Sequence, residues 1–472
     1  MKHTALVWFR SDLRVSDNPA LHRAAKSGLP VIGVFAPYIK QWQKHDWGAN
    51  KINYVLRQVA SLAADLAKLN IPLLNLNAQD FAEVPDALVK LVKKHKASAV
   101  YFNDELEVNE LARDEQVQKQ LESLDVEVVR CHDQTVILPN AIKTKTEDFY
   151  KVYTPYRKAW EAELDKGDYL TLMPKPKKQP AIDIQSENWQ AIVEKHPTSQ
   201  AVIDLWPAGE AAAHKQLRAF CGDGLLAYQE QRDFPSIAGT SKLSAPLACG
   251  VISAKQCYAA GLQAKDGASP KEQTQISTWL GELIWREFYR HVLVGFPRVC
   301  RNQPFKTATR KIPWSDNKAH FQAWCDGQTG FPIVDAAMRQ LNETGWMHNR
   351  LRMIVAMFLT KDLLIDWRWG ERYFMSQLVD GDFASNNGGW QWAASTGTDA
   401  VPYFRIFNPT SQSTRFDAKG DFLRQYLPEL AEIQGKDIHD PPPLVRSSCD
   451  YPLPVVDHAK ARDKTLATFK NL

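Results

Sequence analysis

Short apolar runs alternate with helical repeats over the first 131 residues. Residues 5–9, 30–36, 72–76, 99–102 and 126–131 are apolar runs of strand length, bounded by polar or turn-forming residues. Between them Ile52, Val55, Leu56, Val59, Leu62, Leu66 and Leu69 repeat at helical spacing, and residues 83–94 and 108–124 read the same way. Asp17-Asn18-Pro19 opens a further helix, with Pro suited to its first turn. This alternation predicts an α/β domain with a parallel, Rossmann-like sheet over residues 1–135. No G-x-G-x-x-G follows the first strand, so the dinucleotide fingerprint is missing, and any ligand here must be held by loops at the strand ends.

The rhythm changes afterwards. YKVYTPYRKAW (150–160) begins a crossing, and the proline and lysine run PKPKKQP (174–180) reads as an exposed linker within residues 136–200. From Ile203 the apolar spacing is mostly helical, which predicts an all-α domain over residues 201–472. Ser277 is placed as the cap of a helix TWLGELIWREFYRHVLVGF. On it Glu282, Trp285, Arg286 and Tyr289 share one face, while Leu280, Ile284 and Phe288 lie on the other. Another helix begins near Trp346 and groups Asn349, Arg350 and Met353. Asp380-Gly381-Asp382 and Asn386-Asn387-Gly388-Gly389 read as turns.

Composition narrows the class. The chain has 472 residues, room for two or three domains, and a net charge of only +4. A nucleic-acid partner would need a local patch. The seven cysteines are scattered and never spaced C-x-x-C, which argues against a disulfide framework or a metal site and for a reducing cytosol. The opening apolar run is too short for a signal peptide, and no stretch is long enough to cross a membrane. A cytoplasmic protein is expected.

The densest chemistry lies in residues 342–409. Trp346, Trp367, Trp369, Trp390 and Trp392 stand there among Arg350, Arg352, Asp380, Asp382, Asn386, Asn387 and Arg405. Taken singly these are packing tryptophans and structural ion pairs. Together they predict a polar pocket with aromatic faces, because buried charges must be paired and buried amides bonded. Upstream, Gly239-Thr240-Ser241-Lys242-Leu243-Ser244 offers hydroxyls and backbone amides that can hold phosphate, although serine-rich turns are common. His45-Asp46-Trp47 lies between strand and helix, and Asn109-Glu110 opens a helix, where Glu110 also suits the helix dipole.

Several motifs carry a family resemblance. VWFRSDLRVSDNPAL, GELIWREFYRH, GWMHNRLRM, DGDFASNNGGWQW and YFRIFNP resemble the photolyase and cryptochrome family in order and content, from about Thr4 to Pro454. The likeness is nearest to the folate-type cyclobutane pyrimidine dimer photolyases of bacteria. It implies that Tyr228, Thr240, Ser241, Lys242, Leu243, Ser244, Trp279, Arg286, Trp346, Asn349, Arg352, Met353, Asp380, Gly381, Asp382 and Asn386 bind FAD. Asn386 would stand at flavin N5, and Asp380 would pair with Arg352. It implies that Arg232, Glu282, Trp285, Arg286, Tyr289, Asn349, Arg350, Trp392, Arg405 and Gln412 contact dimer-containing DNA.

By the same resemblance, Glu282 and Asn386 serve the chemistry, and Trp390, Trp367 and Trp314 relay electrons to the flavin. His45, Asn109, Glu110 and Cys300 match the residues that hold a 5,10-methenyltetrahydrofolate antenna. Arg301 stands where a lysine is common, which keeps the charge and changes the contact geometry. The expected activity is light-driven dimer repair by a monomer, with no metal and no membrane partner. Two alternative readings remain within the resemblance, a (6-4) photolyase and a cryptochrome-type blue-light photoreceptor. The (6-4) photolyases carry histidines where Asn349 and Met353 stand. Cryptochromes, which signal, often have long polar tails and replace the residue at Asn386.

Overall fold

β1 (Thr4–Trp8), β2 (Val31–Phe35), β3 (Leu73–Asn75), β4 (Ala97–Asn103) and β5 (Glu127–Cys131) form one parallel sheet in the order β3-β2-β1-β4-β5. The computed structural model describes residues 3–470. All five expected strands are present. β1 and β2 are buried along their whole length, as strands covered on both faces must be, which is why they read as unbroken apolar runs. Helices Pro19–Lys26, Ala49–Ala67, Val84–His95 and Val108–Glu122 fall between the strands. Asn18 caps the first of them by accepting from Leu21 N–H.

The strand order reverses between β1 and β4, the place where open α/β sheets bind ligands. Here that crevice carries its own polar network. Asn103 Nδ2 donates to Asp12 Oδ2 at 2.6 Å, Arg10 pairs with Asp114 at 2.8 Å, and Arg113 pairs with Glu105 at 2.8 Å. The Arg10 guanidinium also lies 4.2 Å from the Trp8 ring.

The segment expected as an exposed linker is exposed along most of 174–180, yet it grips the sheet. Val31 N–H donates to Gln179 Oε1 at 2.8 Å, and Gln179 Nε2 returns to Val31 O at 3.0 Å. Leu73 N–H donates to Ser186 Oγ, and Leu73 O accepts from Glu187 N–H and from Trp189 Nε1. The free edge of β3 is therefore hydrogen-bonded by residues more than a hundred positions downstream.

The chain divides into two compact units, Met1–Leu226 with Ser241–Cys300, and Ala227–Thr240 with Arg301–Leu472. The expected divisions at 135 and 200 follow secondary-structure type, and the compact units do not. In the first unit the helix Pro270–Gly295 is fastened to residues 134–160. Glu287 accepts from Val136 N–H at 2.5 Å and from Trp160 Nε1 at 2.7 Å. His291 Nδ1 donates to Pro139 O at 3.1 Å and its Nε2 accepts from Tyr150 N–H at 2.9 Å. The cap of this helix is Ser269, not Ser277: Ser269 and Glu272 form a capping box and the helix starts at Pro270.

In the second unit, helix Asn349–Met357 begins at its His348 cap and widens into a π-helical turn at Phe358–Asp362. Helices Trp367–Gln377 and Phe383–Ala393 follow, capped by Asp366 and Asp382. The expected turn at Asn386-Asn387-Gly388-Gly389 is thus wrong; these residues lie inside a helix. Glycine and asparagine disfavour helix only weakly, and side-chain bonds of both asparagines to Glu371 outweigh that preference. Trp324, Val355, Phe358, Phe374 and Trp390 sit in the apolar core of this unit. Among the described residues no helix is long and apolar enough to cross a membrane.

Candidate functional site

The helix Phe383–Ala393 presents the most informative side chain. Asn386 is buried, and its Nδ2 donates to Glu371 O at 3.0 Å. That bond fixes the amide with Oδ1 as the free acceptor. Asn387 Nδ2 donates to Glu371 Oε1 at 2.7 Å, and Gln391 Nε2 donates to Asn387 Oδ1 at 3.0 Å. Just ahead of the helix, Asp380 is buried and accepts twice from Arg352 Nη2, at 2.8 and 3.1 Å. Arg352 Nε is held on Met347 O at 2.8 Å. Met353 and Trp346 are half-buried, Asn349 is exposed, and Gly381 is followed by Asp382, whose side chain caps the helix. A fixed amide acceptor and a guanidinium neutralised by a buried carboxylate suit a flat ring edged with N–H and carbonyl groups. This donor set fits FAD.

Three tryptophans form a graded series in the same unit. Trp390 is 2% exposed and packs on Gly370, where an added Cβ would come 2.1 Å from its ring. Gly370 is one helical turn from Trp367, which is 1% exposed. Two residues before Trp367, Ile365 bridges to Ser315, and Ser315 N–H donates to Leu364 O at 2.7 Å. Trp314, next to Ser315, is half-buried in a loop. The chain therefore links all three from the core outward. Trp324 is different: it is fully buried, and its Nε1 donates to Val355 O at 3.1 Å.

In the first unit, the face expected on Pro270–Gly295 is present. Leu280, Ile284 and Phe288 are buried, while Glu282, Trp285, Arg286 and Tyr289 are half-buried. Trp279 is buried beside Phe220. Arg286 reaches back to Gln134 O at 2.8 Å and Leu247 O at 3.3 Å. In the phosphate-type loop Lys242 is exposed with φ +51°, Leu243 is buried, and Ser244 starts a short helix. Gln216 Nε2 donates to Ser241 O at 2.9 Å, which ties the loop down. Thr240 is half-buried at the end of the 227–240 segment, and Tyr228 is buried under Arg232 at 5.3 Å.

Among the candidate phosphate contacts, Arg405 is exposed and Gln412 half-buried. Arg350 is already engaged: it pairs with Asp233 at 2.7 Å and lies 4.4 Å from the Phe416 ring. Trp392 is half-buried at the end of its helix.

His45, Asn109 and Glu110 come together in the first unit. His45 Nε2 accepts from Gln41 Nε2 at 2.9 Å and lies 3.4 Å from Asn109 Nδ2, and its Nδ1 is 3.9 Å from Glu110. Burial, then Lys51, holds the imidazole neutral by lowering its pKa. Burial, followed by Glu107 and Glu105, pushes the Glu110 carboxyl up to about 8. Cys300 is half-buried in the turn Pro297–Arg301.

Sequence reasoning missed Glu371, Gly370 and Asp233, each of which holds a candidate residue in place. No local pattern marks Glu371 or Asp233, because their partners lie 15 and 117 positions away. Gly370 carried a signal: a glycine inside WRWGERYFM asks for a close neighbour.

A family model described as the FAD binding domain of DNA photolyase matches residues 279–471, and one described as DNA photolyase matches residues 5–181. The deoxyribodipyrimidine photo-lyase of Escherichia coli (strain K12) is 46% identical, over 99% of this chain and 98% of that protein. The one from Vibrio cholerae is 44% identical, over 98% and 99%. Among solved structures, a bacterial class III photolyase from Agrobacterium tumefaciens matches with a TM-score of 0.89 at 35% identity, covering 100% of this chain and 98% of that one. A cryptochrome of Synechocystis sp. PCC6803 matches with a TM-score of 0.87 at 30% identity, covering 99% and 100%.

Proposed function

The chain belongs to the DNA photolyase family, and on that premise we propose that it splits cyclobutane pyrimidine dimers in DNA under blue light. One observation carries this reading: likeness along the whole chain to deoxyribodipyrimidine photo-lyases, at 46% identity. FAD, bound in its reduced form, supplies the photoexcited electron that opens the cyclobutane ring and takes it back, with no net redox change. Asn386 Oδ1 would accept a hydrogen bond from the N–H that flavin N5 carries when reduced. Arg352, neutralised by Asp380, would hold the ring edge, and Trp346, Asn349 and Met353 would wall the ring. The hydroxyls of Thr240, Ser241 and Ser244 bind the diphosphate.

Enzymes that act on a base, photolyases among them, take it out of the duplex. A dimer pairs and stacks poorly, so extruding it costs less than extruding normal bases. Trp285 and Trp392 give it apolar faces, and Glu282 hydrogen-bonds the pyrimidine edges. Arg232, Arg405 and Gln412 position the backbone without reading sequence. Arg350 joins them only by sharing its charge with Asp233. His45, Asn109, Glu110 and Cys300 hold a methenyltetrahydrofolate antenna. The protein works as a monomer in the cytoplasm.

The test is repair of dimer-containing DNA by the reduced protein, in blue light and in darkness. Light-dependent recovery of intact pyrimidines is expected. No recovery would favour the alternative reading as a cryptochrome, since the chain is also similar to a cryptochrome structure.

A further inference from the structure

One face of the Trp285 ring is taken, and Tyr289, one turn further on, flanks the ring at 5.7 Å with planes 38° apart. The Tyr153 ring lies parallel to the indole, with centroids 3.7 Å apart and planes 11° from coplanar. Isolated aromatic pairs prefer offset or edge-to-face arrangements at larger separations. A face-to-face contact this close needs other forces to hold it, and both partners are anchored. Tyr153 is buried, and its hydroxyl donates to Gly281 O at 2.7 Å. Its ring and the Trp285 ring both meet the edge of Phe288, at 5.8 and 5.6 Å. Gly281, one turn before Trp285 on the same helix, makes room for this. An added Cβ there would meet Arg157 Nη1 at 2.8 Å and the Tyr153 hydroxyl at 3.5 Å.

We infer that Tyr153 is a positioning residue for the damaged bases: stacked behind Trp285, it fixes the indole so that the opposite face receives the flipped pyrimidines. The inference rests on the dimer-binding reading of Trp285 above. Its physical basis is preorganisation. A half-buried indole on a helix surface has rotamers to lose when a base stacks on it, and immobilising such a side chain weakens binding. The Tyr153 stack makes that ordering part of folding. It also brings the helix Tyr153–Leu164, from the crossing segment, into lesion recognition.

The test compares the full-length flavoprotein with Tyr153→Phe, Tyr153→Leu, Trp285→Ala and the double variant Tyr153→Leu/Trp285→Ala. Affinity is measured on dimer-containing and undamaged duplexes of one sequence, with bound FAD as the check of folding. Tyr153→Leu should bind the dimer roughly tenfold more weakly, with undamaged DNA and FAD content little changed. Tyr153→Phe keeps the ring and should restore discrimination, which loss of a merely structural hydroxyl bond would not. The double variant should be no weaker than Trp285→Ala, because Tyr153 acts through the indole. If Tyr153→Leu costs FAD, Tyr153→Met takes its place with the same expectation. Parental dimer affinity in a folded Tyr153→Leu or Tyr153→Met variant, with Trp285→Ala weakened, overturns the positioning role alone. Parental affinity in Trp285→Ala removes the dimer-binding reading beneath it.

Discussion

Gly370 and Trp390 touch so closely that a methyl group on the glycine would fall 2.1 Å from the indole. The ring cannot give way easily, since Phe374 and Trp324 pack edge-on against it at 5.0 and 5.9 Å. Gly370→Ala should therefore overpack the core and cost about 1–3 kcal/mol of stability. It should also slow photoreduction of oxidised flavin by an external donor, because Trp390 is displaced. Denaturant unfolding and a light-driven bleaching assay on one preparation check both. An unaltered bleaching rate would remove Trp390 from the relay.

A relay through Trp390, Trp367 and Trp314, as the family resemblance implies, is tested at its outer end. Trp314→Phe should keep FAD, the fold and repair by chemically reduced enzyme, yet strongly impair photoreduction. Trp324→Phe gives the contrast. It loses the bond to Val355 O and should cost about 1 kcal/mol, but photoreduction should continue. If both variants photoreduce at the parental rate, the path to solvent does not pass through Trp314.

Glu110→Ala should abolish a near-ultraviolet folate band while leaving the FAD spectrum and repair under strong light intact. The motive is that Glu110 shares one cluster with His45 and Asn109, in the α/β part of the first unit. Absorption spectra of the purified variant decide. A full band in the variant would show that the antenna is held elsewhere.

Lys361 gives a pH signature. It is fully buried, with Nζ 2.8 Å from Ser395 Oγ and 3.7 Å from the Phe469 ring. Burial first, then Lys306, lowers its pKa to about 7 from an ordinary 10.5. Between those values the unfolded chain holds a proton that the folded chain does not. Stability from this group should thus rise with pH above 7, by up to about 1.4 kcal/mol per unit, and level off near 10.5. Lys361→Met lacks the titration. The stability difference between parent and variant should shift by about 2–3 kcal/mol in the parent's favour from pH 7 to 9. A constant difference across that range would mean the amine stays charged.

Much of this was readable in the chain because it rests on local rules. The strands of the sheet were found because buried parallel strands are unbroken apolar runs, and the face of Glu282, Trp285, Arg286 and Tyr289 follows from helical spacing alone. The start of that helix was misplaced by eight residues although Ser269-Pro270-Lys271-Glu272 spelled its cap. Asn386-Asn387-Gly388-Gly389 misled for another reason. Its composition favours a turn, and the carboxylate and carbonyl of Glu371 that favour helix are invisible to any local reading. Tyr153 was missed likewise: its partner Trp285 lies 132 positions away, and nothing near Tyr153 marks it.

The bonds from Gln179, Ser186, Glu187 and Trp189 bear on how this protein can be divided. A fragment ending at residue 135 would contain every strand of the sheet. It would also leave Leu73 N–H and O unsatisfied on a bare outer strand. Such a strand offers a template to another copy of itself. An α/β fragment excised there would tend to self-associate, whereas one carried through Trp189 takes its own edge guard along.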